Sequence, residues 1–288
     1  MPRVLVLNAT PAATEQRFVN AGSYSYEALI QSSLDRHLPA GRGIKYLSIR
    51  MADGERLPPG YALEDFDGVW ISGAPFNVYE TKQPSVRDQI DFTRQIWDVG
   101  IPAFGSCWGL QLMTAALGGS VRLNPRGREV GIARRIYLTA AGSTHPMYEG
   151  KSMTFDALCV HEDEVASLPD CGTLLASNDK SIVQGAVMRE RDKSFWGVQY
   201  HPEFDFATIA AIITERAQRH IDDKLARTLK DVSSIVSDFR TLNADASRAD
   251  LVWRHGVNES TLDPGVRTLE FRNWLHSDVL PRAARRGR

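Results

Sequence analysis

Residues 102–112 read PAFGSCWGLQL. An apolar run ends at Phe104, a turn bounded by Gly105 and Gly109 follows, and helix-forming residues continue from Leu110 to Leu117. The stretch predicts a strand, a cramped elbow with Cys107 at its apex, and a helix whose first amides point at the sulfur. Glycines on both sides let the backbone turn without Cβ clashes. Amides at a helix N-terminus favour thiolate over thiol. A lone cysteine in such a turn also fits a small buried residue, and the turn alone does not favour the reactive reading. A reactive reading needs a base elsewhere in the chain.

Upstream of the elbow, strand-like and helix-like runs alternate. Arg3 to Asn8 is a short β-rich run, and Gly22 to Leu38 carries Tyr26, Leu29, Ile30 and Leu34 at helical spacing. Ile44 to Ile49 and Val69 to Ser72 read as further strands, the latter running into Gly73-Ala74-Pro75. Pro84 marks a helix start and Gly100 its stop, with Val86, Ile90, Phe92, Ile96 and Trp97 as apolar positions. Such alternation predicts an α/β fold, a mainly parallel sheet flanked by helices, whose ligands sit at the carboxyl ends of the strands. The Ser72–Pro75 turn and the Cys107 elbow both fall there.

Downstream the pattern shifts to short β-like runs at 132–138, 153–160, 173–176, 183–188 and 195–200, which predict antiparallel additions to the sheet. The last of them delivers His201-Pro202-Glu203. Beyond Pro202 no Gly or Pro occurs until Gly256, and apolar residues from Ile213 to Phe239 step by three or four. That predicts one apolar stripe on a long helix or a pair of helices. A second cluster includes Leu251, Trp253, Phe271, Trp274 and Leu275. So much apolar surface must pack on the α/β part, on itself or on another subunit. The expected division is an α/β domain over 1–220 and a helical C-terminal extension over 221–288, ending in a solvated, frayed RAARRGR tail.

Composition excludes several classes. Lys plus Arg number 34 and Asp plus Glu 35, so no global field recruits nucleic acid or an anionic membrane. The three cysteines show no CxxC spacing, against a disulfide framework or zinc cluster and for a reducing compartment. No apolar run is long enough to span a bilayer, and Met1 leads directly into a strand, so a cytoplasmic protein acting on a small molecule is expected.

His201 and Glu203, two apart at a strand end, are expected to project to one face. The carboxylate then orients the imidazole through one nitrogen, leaving the other to exchange a proton with a nucleophile. Alone, His-Pro-Glu also fits a surface turn. His161, Glu162, Asp163, Glu164, His201 and Glu203 offer metal ligands, but no dense motif such as HExxH organises them, and no metal or cofactor is expected.

Four segments in order resemble the class I glutamine amidotransferases with a Cys-His-Glu triad, especially proteins related to the glutaminase domain of GMP synthetase. They are Ser72-Gly73-Ala74-Pro75, GSCWGLQL around Cys107, Arg128-Glu129-Val130-Gly131 with the later HEDEVASLP from His161, and GVQYHPEF around His201. The resemblance covers about residues 1 to 220. It implies a flavodoxin-like fold, Cys107 as nucleophile, His201 as general base and acid, and Glu203 as orienter. It further implies an oxyanion hole from the Ala74 and Trp108 amides, with Gln111 lining the glutamine pocket. Two positions depart: Ala74 replaces a second glycine, and Glu162 stands where the GMP synthetase branch has glycine.

The implied reaction is hydrolysis of a γ-glutamyl amide through a Cys107 thioester, with glutamate and ammonia or an amine as products. No synthetase half, P-loop or dinucleotide-binding motif follows, so ammonia would pass to a separate acceptor enzyme. The alternatives are a free-standing γ-glutamyl peptide or amine hydrolase, and a non-catalytic module binding partners through its C-terminal helices. A homo-oligomer built on those helices is a further expectation.

Overall fold

The apolar runs flanking the elbow become the parallel half of one nine-stranded sheet. The structure is a computed structural model describing residues 1–288. Its strands are β1 (Arg3–Leu7), β2 (Lys45–Ile49), β3 (Gly68–Ile71), β4 (Ala103–Ser106), β5 (Ser120–Leu123), β6 (Glu129–Leu138), β7 (Thr154–His161), β8 (Asp163–Ser167), β9 (Gly172–Ser177), β10 (Gly185–Glu190) and β11 (Lys193–Val198). The main sheet has the order β2-β1-β3-β4-β11-β10-β9-β6-β7, and β5 pairs with β8 in a small second sheet. From β2 to β11 all pairings are parallel; from β11 outward to β7 all are antiparallel. The strand that delivers His201 is thus the junction, parallel to β4 and antiparallel to β10. The β5–β8 pair escapes sequence reading because β5 is short and mostly exposed, with no apolar alternation to mark it.

Two-residue periodicity divides the core. Val4 and Val6 of β1 face one side, with Trp70 and Phe104, while Leu5 and Leu7 face the other, with Val69, Ile71 and Ala103. The helices before the middle of the chain are α1 (Ala12–Asn20), α2 (Tyr26–Asp35), α3 (Pro84–Val99) and α4 (Trp108–Ala116). Helix α3 ends on Gly100 in the left-handed conformation, as expected. Helix α1 was not anticipated: Phe18 is its only buried apolar residue, too little for a periodic signal.

The single stripe expected from Ile213 to Phe239 is cut into α5 (Phe206–Glu215), α6 (Ala217–Asp222) and α7 (Leu229–Ala244). Lys224 adopts φ 58° in the break, and Thr228 with Asp231 forms a capping box that restarts the chain as α7. Leu225 and Leu229 consequently fall at the break and are exposed. The remaining helices are α8 (Ala249–His255), α9 (Glu259–Leu262), α10 (Pro264–Arg267), α11 (Leu269–Trp274) and α12 (Leu280–Arg285), with one π turn between the last two.

This extension packs on the sheet. Phe271 and Trp274 lie 4.8 and 6.0 Å from Phe104, ring centre to ring centre, and join Leu275 and Val279 in the core that holds Trp70. Behind them the buried Lys151 ammonium meets Glu270 at 2.8 Å, and Glu270 also accepts the Tyr200 hydroxyl at 2.5 Å. Burial pushes the Lys151 pKa down, and Glu270 opposes that shift. Trp253 departs from expectation: it is 86% exposed. The basic tail is not frayed either, because Arg286 donates to the Phe66 carbonyl and to Asp67, and Arg288 reaches the other Asp67 oxygen at 3.5 Å. Asp67 is completely buried and these guanidinium groups supply its counter-charge. No helix is long and apolar enough to cross a membrane.

Candidate functional site

The elbow forms as read, with one change in which residue bears the strain. Cys107 sits between β4 and α4 at φ 52°, ψ −99°, a conformation L-residues rarely adopt. Its amide donates to the Val198 carbonyl of β11 at 2.7 Å, fixing the turn to the neighbouring strand. Gly105 and Gly109 do not relieve a positive φ; they permit contact. A Cβ on Gly109 would stand 2.6 Å from the Ile71 carbonyl oxygen, and one on Gly105 would stand 2.6 Å from the Gly109 carbonyl carbon.

His201 and Glu203 meet through a turn after β11 and not through the pleat of a strand. His201 Nδ1 lies 2.7 Å from Glu203 Oε1, and Ser106 Oγ donates to Glu203 Oε2 at 3.0 Å. Phe204 stacks flat on the imidazole, 3.8 Å between centres with the planes 1° apart. The ring's other edge faces Gly73, where a Cβ would come within 2.6 Å of His201 Cε1 and 3.4 Å of Nε2. Cys107 and His201 line one cavity of about 40 Å³ together with Gly73, Ala74, Tyr26 and Arg216.

A second, adjoining cavity of about 130 Å³ shares Ala74, Cys107, Val160 and Arg216 with the first and is further bordered by Gln111, Arg128, Glu162 and Asp163. Gln111 Nε2 donates to Gln199 Oε1 at 3.2 Å and to the Asp163 carbonyl at 3.4 Å. Asn77 and Tyr79 donate to the Asp163 carboxylate at 2.7 and 3.2 Å. The backbone amides of Ala74 and Trp108 carry no carbonyl partner. All six residues singled out from the sequence, Ala74, Cys107, Trp108, Gln111, His201 and Glu203, therefore converge on one place.

The electrostatics correct the expected thiolate. Burial pushes the Cys107 pKa up to about 12, and the Glu203 charge adds to the rise. The Trp108 amide and the Arg216 charge pull the other way and do not prevail. The resting sulfur is a thiol, donating to the Val160 carbonyl at 3.8 Å. Burial likewise raises the Tyr26 phenol, which stays protonated, and desolvation lowers the pKa of Arg216.

A different Glu-Cys-His group lies nearby: Glu129, Cys159 and His161 hold three ligand-type atoms within 4.8 Å of one another. These are occupied internally. Glu129 accepts from His161 Nε2 at 2.8 Å, Asn178 at 2.8 Å and Gln184 at 2.7 Å, while His161 Nδ1 reaches the Asp163 carbonyl at 2.9 Å. This network braces the strand that carries Val160; His161 borders the second cavity, while His201 and Glu203 take no part in the network.

Sequence reasoning missed Ser106, Phe204 and Arg216. The first two adjoin residues already singled out, so adjacency was a usable signal. Arg216 follows α5 with no motif around it, and only the fold brings it to the cavity.

Residues 26–216 match the family model described as glutamine amidotransferase class-I. The chain is 34% identical over 227 residues to a γ-glutamyl-L-1-hydroxyisopropylamide hydrolase from Pseudomonas sp, covering 77% of this chain and 75% of that one. It is 35% identical over 161 residues to the glutamine-hydrolyzing GMP synthase of Thiobacillus denitrificans, and spans only 28% of that protein's length. A glutamine amidotransferase structure from Thermotoga maritima superposes with a TM-score of 0.65 at 18% identity, covering 95% of this chain and 98% of that one, a likeness of fold.

Proposed function

The chain belongs to the class I glutamine amidotransferase family, and from that premise we propose that it hydrolyses γ-glutamyl amides through a thioester on Cys107, releasing glutamate and an amine. The observation that carries the reading is His201, held by Glu203 at 2.7 Å, sharing a cavity with a cysteine on a strained elbow.

Because Cys107 rests as a thiol, its proton leaves as the sulfur attacks. His201 takes it, the S–C bond forms at the γ-carbonyl, and Glu203 supports the resulting imidazolium. The amides of Ala74 and Trp108, which have no carbonyl partner, are the donors for the oxyanion; alanine serves as well as glycine here because the donor is backbone. The imidazolium then gives its proton to the amine nitrogen as the C–N bond breaks. Water, deprotonated by His201, attacks the thioester; glutamate departs and the thiol is restored. Gln111 and Asp163 border the cavity assigned to the glutamyl part.

The test is glutamate release by purified protein from glutamine and from a panel of N-substituted γ-glutamyl amides, beside Cys107→Ala. Turnover of any of them that vanishes in Cys107→Ala supports the reading; no turnover of glutamine or the panel overturns it. Similarity to GMP synthase supports a second reading, in which glutamine is the donor and ammonia passes to a separate synthetase. The Pseudomonas hydrolase, matched over three quarters of its length, favours the free-standing hydrolase. Preference for glutamine over every substituted amide would reverse that order.

A further inference from the structure

Three arginines border the cavities beside Cys107. Arg128 pairs with Asp223 at 2.8 Å, and Arg219 pairs with Glu162 at 2.5 Å. Arg216 has no carboxylate: its guanidinium lies over the Phe18 ring, 5.7 Å from the centre. The neighbours that would favour its charge are Tyr26 and Cys107, and burial keeps both protonated. A half-buried guanidinium facing a cavity without a counter-ion is a site for a ligand anion, since an anion recovers the lost solvation and accepts a forked pair of hydrogen bonds.

Its position decides which anion. His201 must reach the amine nitrogen, so a substituent on that nitrogen lies on the His201 side of the sulfur. That side is walled by Thr10, Phe18, Tyr26, Phe204 and Ile212, and Arg216, at the boundary between the two cavities, is the one arginine that lines it. Ammonia needs no such wall, and a cationic amine would be repelled. Arg216 also borders the second cavity, but that cavity holds other charges of both signs, Arg128 and Arg219 with Glu162 and Asp163, to meet the carboxylate and ammonium of a glutamyl group. We propose that Arg216 binds a carboxylate carried by the leaving amine, so that the preferred substrates are γ-glutamyl amino acids and neither glutamine nor uncharged γ-glutamyl amines. This inference rests on the γ-glutamyl amide reading.

The decisive comparison uses γ-L-glutamyl-L-alanine, γ-L-glutamyl-L-alaninol and glutamine. The first two differ only in a carboxylate replaced by CH₂OH. Wild type should favour the acid over both others in kcat/KM by at least about tenfold, the usual value of a charge-assisted pair. Arg216→Gln should abolish the preference for the acid over the alcohol, mainly through KM on the acid, whatever it does to turnover of both; Arg216→Lys should fall between. Equal losses on all three substrates would overturn the proposal, because Arg216 would then serve the glutamyl group or the sulfur. Binding to Cys107→Ala by calorimetry needs no turnover. If wild type hydrolyses neither compound, the hydrolase reading fails, while tighter binding of the acid, lost with Arg216→Gln, still upholds the inference. Equal binding of both compounds, or of neither, overturns it.

Discussion

Ser106 donates its hydroxyl to Glu203 Oε2 at 3.0 Å, one residue before the strained Cys107. The carboxylate that holds His201 is thereby tied to the strand that carries the sulfur, so the two halves of the site share one anchor. Ser106→Ala leaves a buried carboxylate oxygen without a donor, at a cost of about 1–3 kcal/mol. Turnover should fall roughly tenfold with KM nearly unchanged, because Ser106 positions Glu203 and does not touch substrate. Glu203→Gln should fall further, yet less than loss of the sulfur. Steady-state kinetics on both variants check the order; an Ser106→Ala enzyme with altered KM and unchanged kcat would contradict it.

At Cys107 the usual ranking of small residues should invert. Cys107→Ala and Cys107→Gly should both be inactive, but at φ 52° glycine alone escapes the Cβ clash. Urea titration should find the glycine variant more stable than the alanine variant by about 1 kcal/mol, the size of one strained backbone site. Cys171→Ser, distant from the cavity, should keep wild-type turnover.

Gly109→Ala should damage folding and activity together. Its methyl group would overlap the Ile71 carbonyl, a backbone atom that cannot rotate away. The expected readout is a lower melting temperature and a loss of glutamate release at temperatures where the variant is still folded.

Acid should destabilise the protein through two histidines. Burial holds the His220 and His37 pKa values down, from 6.5 to about 4, with neighbouring arginines adding to the shift. As pH falls below 6.5 the unfolded chain takes up protons that the folded chain refuses until about 4, so stability is lost across that window. The melting temperature should drop between those pH values, and His220→Gln with His37→Gln should flatten the drop. A slope unchanged by the double substitution would remove these residues from the account.

The extension should not be separable from the rest. Truncation after Asp223 strips Phe271, Trp274 and Val279 from a core that contains Phe104 and Trp70. Insoluble or unfolded protein is the expected result, and Phe271→Ala should cost about 3–5 kcal/mol. A soluble, active 1–223 fragment would instead make residues 224–288 dispensable for the fold of the rest. Trp253→Ser, at an exposed position, should leave stability within about 0.5 kcal/mol.

Local signals in the sequence were strong where glycine, proline and apolar period coincided. PAFGSCWGLQL announces β4, the elbow and α4 because strand, turn and helix chemistry follow one another without a gap. The proximity of Cys107, His201 and Glu203 was legible through their place at strand ends and the family resemblance. Features set by long-range neighbours were not. The Cys107 protonation state depends on burial and on Glu203, against the local helix amides, and the tail arginines order themselves only because Asp67 lies buried beneath them. The stripe from Ile213 to Phe239 kept its period across a break marked by Lys224 at positive φ and by the polar Thr228–Asp231 cap that restarts the helix, both invisible to hydrophobic counting. Arg216 carries no local mark at all.

The buried trio of Lys151, Glu270 and Tyr200 also constrains how this chain can be recombined with relatives. Its members come from three distant parts of the sequence and satisfy one another's charge and hydrogen bonding, with Tyr200 next to His201. A chimera with a crossover between 151 and 270 inherits one or two of the three, stranding a charge in the interior or a hydroxyl without its acceptor. Grafts should therefore succeed when the trio travels as a set, even where the exchanged segments are otherwise similar.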